Sequence, residues 1–219
     1  MSNGGYTFTE TNDFTAFNDA MAAQGWQLIV VDNPSSGDTS FLTNIENFVN
    51  AGGHLAISTW QSDPFPTHTL WGTLGSTSGA APGGDVHPIY RWVATHPIFS
   101  TPNDVPDFTA LSDVWYGVDT FPGDPTGTGT ALAGTTESSE PGKATIFIAN
   151  AGRTIFNAFL LDDAADDTDV ANDVDGDGKA DAIEYWENQI VYLLSQAGIR
   201  TVRVAPASVR HSGSGPSNR

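Results

Sequence analysis

Twelve residues near the C-terminal end, Asp173-Val-Asp-Gly-Asp-Gly-Lys-Ala-Asp-Ala-Ile-Glu184, set oxygen donors at the intervals that a calcium ion requires. Asp173, Asp175, Asp177 and Asp181 stand at loop positions 1, 3, 5 and 9, the carbonyl of Lys179 at position 7 and Glu184 at position 12. Gly178 falls at position 6, where the turn is sharpest. This is the pattern of an EF-hand-type loop, and Ca2+ is the cofactor it predicts. A merely solvated acidic loop has no reason to keep the spacing over twelve positions. Asp162, Asp163, Asp166, Asp167 and Asp169 add charge just upstream and leave room for a second ion. Carboxylates so crowded repel until a cation neutralises them, so this stretch is expected to order on metal binding.

A second group of residues could do chemistry on a substrate. His54, His68, His87 and His96 fall within 43 residues, and Trp60, Asp63, His68 and Trp71 lie on one short stretch. A loop leaving a strand end can bring an acid, an imidazole and two aromatic walls around one small molecule. Thr59 or Ser58 would be the nucleophile if His68 or His87 served as base, although the Gly-x-Ser-x-Gly spacing is absent. Alternatively, bound calcium would polarise a carbonyl while Asp63 or His68 acts as base. Trp60, Trp71, Tyr90, Trp92, Trp115 and Tyr116 suit a sugar-stacking or apolar pocket, and equally suit a core. The blander reading of the imidazoles is that His87-Pro88 and His96-Pro97 begin strands and that His54 follows a helix stop.

These residues need a frame, and the hydrophobic pattern supplies one. Tyr6 to Thr9 suits a short strand, Asp13 to Gln24 a helix through Phe14, Phe17 and Met21, and Trp26 to Val31 a buried parallel strand. A second helix from about Asp38 turns Phe41, Leu42, Ile45, Phe48 and Val49 inward and stops at Gly52-Gly53. His54 to Thr59 is the next buried strand. Residues 60 to 143, rich in Gly, Pro, Thr and Trp, read as long loops and short strands over the C-terminal edge of the sheet, where α/β proteins bind ligands. Thr145 to Asn150 and Arg153 to Leu160 form a strand pair about Ala151-Gly152. Ala182 to Gln196 is a closing helix with Ile183, Trp186, Ile190, Leu193 and Leu194 on its inner side, stopped by Gly198. The upstream run Leu161 to Asn172 lacks the periodicity of an entering EF-hand helix, so the loop is expected to be grafted onto another fold. The expected class is α/β: a mostly parallel sheet flanked by helices, with an antiparallel pair and the calcium loop before the last helix.

Several segments, in this order, resemble a known family: Phe48-Val-Asn-Ala-Gly-Gly-His-Leu-Ala-Ile-Ser-Thr59, His96-Pro-Ile-Phe99, Asp113-Val-Trp-Tyr116, Gly152-Arg-Thr-Ile-Phe-Asn157 and Glu187-Asn-Gln-Ile190. The chain is similar to the class I glutamine amidotransferase-like superfold, in particular its trehalose-utilisation (ThuA-like) branch, over roughly residues 6 to 196. The resemblance implies a flavodoxin-like sandwich. It also implies a nucleophile elbow, or a His in the ThuA-like branch, where this chain has Thr59 and Trp60, so glutaminase chemistry is not expected. The family usually begins with a further strand and helix, so the resemblance implies a chain lacking its first βα unit. The sheet edge left open would invite a homodimer.

Composition narrows the partners. The 219 residues suit one domain, 1–198, and 39% apolar content suits a real core. The net charge of −18 disfavours nucleic acid and anionic membranes, and half of it, ten acids against Lys179, lies in residues 162 to 184. Half of the eight Lys and Arg (Arg200, Arg203, Arg210, Arg219) fall in the last twenty residues, and 199–219 reads as a disordered basic tail, an extension or a cloning remnant. There is no cysteine, which excludes disulfides and thiolate chemistry. Millimolar extracellular calcium suits such a loop, which points to an exported bacterial protein whose leader would precede this sequence. Two functions follow: a calcium-dependent hydrolase of a small neutral ester, lactone or sugar-derived substrate, or a catalytically silent, calcium-stabilised module that binds carbohydrate or packs against partner domains.

Overall fold

The computed structural model describes residues 8–23, 25–33, 39–77, 88–109, 120–161 and 173–198. Asp13 starts helix α1 (Phe14–Ala23) by accepting the Ala16 N–H at 2.7 Å, and Gly25, at φ +94°, turns the chain out of it. Strand β1 (Leu28–Asn33) follows, then α2 (Ser40–Asn50), which buries Phe41, Leu42, Ile45 and Val49 at helical spacing. Phe14 of α1 stacks on Phe41 at 5.1 Å, so the two helices share a seam. Gly52 ends the turn at φ +101°, and Gly53 leads into β2 (His54–Thr59), five of whose six residues are buried.

The sheet has six strands in the order β1-β2-β6-β5-β4-β3. β1, β2 and β6 (Thr154–Asn157) are parallel; β5 (Ala144–Ala149), β4 (Thr130–Gly134) and β3 (Tyr90–Arg91) continue as antiparallel neighbours. The protein is thus α/β with a mixed sheet. Strand alternation divides the core in two. Ile29, Val31, Leu55, Ile57, Phe147 and Phe156 face α1, α2 and the short helix α3 (Leu70–Thr73); Ala56, Ile146 and Ile155 face the other way, towards Tyr185 and Leu193 of α4 (Asp181–Gln196). No helix among the described residues is long and apolar enough to cross a membrane.

Several expectations change. β1 is an outer strand among the described residues, with Ile29 and Val31 buried but Val30 40% exposed, so its apolar run marks an edge and not a two-sided interior. Phe8 and Thr9 are not in a strand, and Tyr6 lies outside the described residues. The Gly- and Thr-rich middle contributes β3 and β4 to the sheet itself; it is not only a cover for the strand ends. The inner face of α4 is rotated from the apolar stripe: Ala182, Tyr185, Asn188, Gln189, Leu193 and Leu194 are buried, whereas Ile183, Trp186 and Ile190 are half-buried. Residues 199–219 lie outside the described residues.

Candidate metal centre

The segment 173–180 is a tight acidic loop that delivers the chain into α4. Gly176 and Gly178 hold φ of +78° and +94°, a region that costs any residue with a Cβ, and so let successive backbone N–H groups turn inward. Those groups converge on Asp173: Gly176 and Asp177 donate to Oδ1 at 2.7 and 3.1 Å, and Gly178 to Oδ2 at 2.8 Å. Against the burial that would raise it, these bonds hold the Asp173 carboxyl below its ordinary pKa. Asp175 and Asp177 each accept the N–H two residues on, from Asp177 and Lys179.

Asp181 and Glu184 differ in kind. They sit in the first turn of α4, only 2% and 3% exposed, and Asp181 Oδ1 and Glu184 Oε2 have no hydrogen-bond partner among the described residues. A helix N-terminus favours acids by about 0.3–1 kcal/mol, but that attraction gives no reason to bury them with oxygens unmet. Burial, followed by the charges of the neighbouring Asp residues, raises Asp181 to about 6. Burial, with Asp177 as the next contributor, raises Glu184 to about 7.

Geometry gathers the acids in two overlapping sets, Asp173-Asp175-Asp177 and Asp175-Asp181-Glu184, each with ligand oxygens within 4.8 Å of one another. Five carboxylates, two of them buried with orphan oxygens, form an all-oxygen donor set of the hardness that suits Ca2+. Lys179, proposed from the sequence to give its carbonyl, turns its ammonium outward to Glu187 Oε2 at 2.5 Å.

The loop is tied to the rest of the domain through α4. Glu187 also accepts from Asn103 Nδ2 at 3.0 Å. Asn188 accepts the Asn103 N–H at 2.9 Å and donates to the carbonyls of Ile98 and Asn103. Gln189 Oε1 takes Asn157 Nδ2 at 2.9 Å, and Tyr185 donates to Asn157 Oδ1 at 2.8 Å, all of it buried at the end of β6. Sequence reasoning quoted Asn157, Asn188 and Gln189 only as motif residues, with no role, and overlooked Tyr185. For the three on α4 the signal is polar groups at helical spacing from Asp181 on one side of the helix, which an apolar count ignores.

Three of the residues proposed for catalysis, Ser58, Thr59 and His68, hold hydrogen bonds within the fold. Thr59, at the end of β2, is fully buried and its Oγ1 accepts the Gln61 N–H. Ser58 Oγ is held between the Phe159 carbonyl and the Leu161 N–H. His68 accepts the Leu70 N–H on Nδ1 at 3.1 Å, capping α3, and Nε2 lies 3.5 Å from Thr43 Oγ1. Asp63 is exposed on the turn after the 3-10 segment Trp60–Ser62. Trp71 is a core residue, 1% exposed, stacked on Phe156 at 5.5 Å with its indole N–H on the Phe65 carbonyl; no face of it is open to a ligand. Trp92 is half-buried and donates to the Thr136 carbonyl. His96 caps the 3-10 turn Pro97–Phe99, and burial lowers its pKa. His87, Trp115, Tyr116 and the side chain of Trp60 lie outside what the structure describes, as do Asp162, Asp163, Asp166, Asp167 and Asp169.

No protein-family model matches the chain, and no curated protein matches it.

Proposed function

We propose that this chain is a calcium-stabilised, flavodoxin-like module of the class I glutamine amidotransferase-like superfold, close to its ThuA-like branch. Its role is that of a catalytically silent binding or accessory unit for a small neutral molecule or carbohydrate in an exported protein. One observation carries the calcium part: two buried carboxylates at the head of α4 leave oxygens unpartnered while facing a third, Asp175. In the bound state Asp173, Asp175, Asp177, Asp181 and Glu184, with the Lys179 carbonyl, would hold the ion, which supplies positive charge that lets five acids coexist. The ion's place is structural, because it fixes the end of a helix whose side chains tie the sheet to the segment around Asn103.

The silent reading is favoured over a calcium-dependent hydrolase by what the candidate groups already bind. A general base needs a free lone pair, and that of His68 Nδ1 is engaged by a backbone N–H. A nucleophile needs an accessible oxygen, and Thr59 is fully buried. The test has two arms. Calcium titration by calorimetry should give binding that Asp175→Ala with Glu184→Ala abolishes; wild-type metal content in that double variant would remove the site. An ester, lactone and glycoside panel run with calcium and with chelator should show no turnover. Turnover lost in both His68→Ala and Thr59→Ala would reinstate the hydrolase.

A further inference from the structure

A cleft of about 600 Å³ opens beneath the N-terminal ends of β1 and β2, at the opposite edge of the sheet from Thr59. Its walls are aromatic: Trp26, fixed by its indole N–H on the Ala20 carbonyl at 2.6 Å, and Phe48, both half-buried. The Phe48 ring lies where it does because residue 53 is glycine, since a Cβ there would come within 2.3 Å of the ring. Between the walls the polar groups are neutral amides, Gln27, Asn44 and Asn47. Asn44 gives its Nδ2 to Asn18, whereas the side chains of Gln27 and Asn47 make no hydrogen bond among the described residues. His54 completes the lining; its imidazole bonds the Gln27 backbone, its Nε2 has no partner among the described residues, and burial and then the Arg153 charge lower its pKa.

Among the described residues no Asp, Glu, Lys or Arg lines this cleft, in a chain with 26 acids. The nearest charge, the Arg153 guanidinium behind Gly53, is engaged by the carbonyls of Val49 and Gly53, so the lining itself offers a charged ligand no counter-ion. Planar amides offer a donor and an acceptor side by side, which suits adjacent hydroxyls, and aromatic faces suit the C–H face of a ring. We propose that this cleft is the seat of a neutral sugar ring or small polyol.

The proposal rests on the accessory-module reading for its neutral ligand and is independent of the metal. Ala197, at the far end of α4, lines the cleft, so the helix puts about 24 Å between it and the ion loop. The test is a ¹H–¹⁵N titration of the calcium-loaded chain with glucose, maltose and cellobiose, and with glucuronate as the charged counterpart. Shifts should gather on the amides of Gln27, Asn47, Gly52 and Gly53 and on the His54 ring, with glucuronate giving none. Gln27→Ala with Asn47→Ala changes two exposed residues, so the melting temperature should hold while sugar binding weakens about tenfold or more. Undiminished binding in that variant, or shifts gathered at Asp63 and His68, would overturn the seat and leave the accessory reading standing. Absence of any shift with all three sugars would overturn both.

Discussion

A single substitution, Asp181→Asn, should change sign with calcium. The amide keeps the shape of the carboxylate and can still accept the Val174 N–H, so only the charge is removed. In the metal-free protein that charge is a burden. Lifting a buried carboxyl from 3.8 to about 6 corresponds to about 3 kcal/mol at 1.36 kcal/mol per pKa unit, and lifting Glu184 from 4.5 to about 7 to a similar amount. The Asp181 charge is itself one of the contributors raising Glu184, so the pair together costs less than twice that. Both folded-state values lie above the unfolded ones. The folded state therefore holds the extra protons, and stability that is full below pH ~4 is lost as pH rises through about 6 and about 7. At pH 8 in chelator, Asp181→Asn should gain about 2–3 kcal/mol, or roughly 5–10 °C in melting temperature. At pH 4 the gain should vanish. In excess calcium the same variant has lost a ligand and should melt below wild type. Thermal melts of both proteins at the two pH values, with calcium and with chelator, decide the matter. A variant destabilised equally with and without calcium would refute the charge argument, and a wild-type melt indifferent to chelator would refute the metal site.

Other expectations follow from the same contacts. Asn188→Ala should cost about 2–4 kcal/mol in urea unfolding with or without calcium, because it strands the Asn103 N–H and the carbonyls of Ile98 and Asn103; a loss below about 0.5 kcal/mol would mean that water replaces it. Gly178→Ala forces a Cβ into φ +94° and should weaken calcium about tenfold by calorimetry while leaving the chelated protein's melt almost unchanged. Trp71→Ala should cost about 3–5 kcal/mol of stability and change no ligand affinity, the mark of a core residue. The outer edge of β1 should pair two copies, giving a dimer mass by light scattering that Val30→Lys reduces to a monomer; a monomeric wild type at high concentration would dismiss that contact.

Much of the scaffold was legible because hydrophobic spacing reports burial. Phe41, Leu42, Ile45 and Val49 declared α2, and Gly25, Gly52 and Gly198 marked turns that do adopt positive φ. The order of strands was not legible. The run Trp26 to Val31 is as apolar as an interior strand, yet among the described residues it stands at the edge of the sheet and its burial alternates, which the sequence does not show. β4, Thr-Ala-Leu-Ala-Gly, has too few branched residues to announce a strand and is recruited by pairing with β5. The inner face of α4 misled for a different reason: its fully buried Asn188 and the Oε1 of its buried Gln189 are bonded to partners 85 and 32 residues away, which no local pattern can show. The acidic loop was legible because its ligands are contiguous, whereas the strand-end cluster asked distant side chains to meet. There His68 turned to a backbone N–H two residues along, and Trp71 turned to the core.

The amides of α4 have a mechanical consequence. A helix seated by apolar contact alone can rotate or ratchet by a turn at small expense, but Asn188, bonded to Asn103 and Ile98, and Gln189, accepting from Asn157, fit in one register only. Glu184 and Asp181 ride on that same rigid rod, about one and two turns ahead of Asn188. The helix is thus indexed before any ion arrives, and only the short span from Asp173 to Ala180 has to close. Calcium uptake should then run as a single fast phase with no slow rearrangement behind it, the behaviour of a latch and not of a switch.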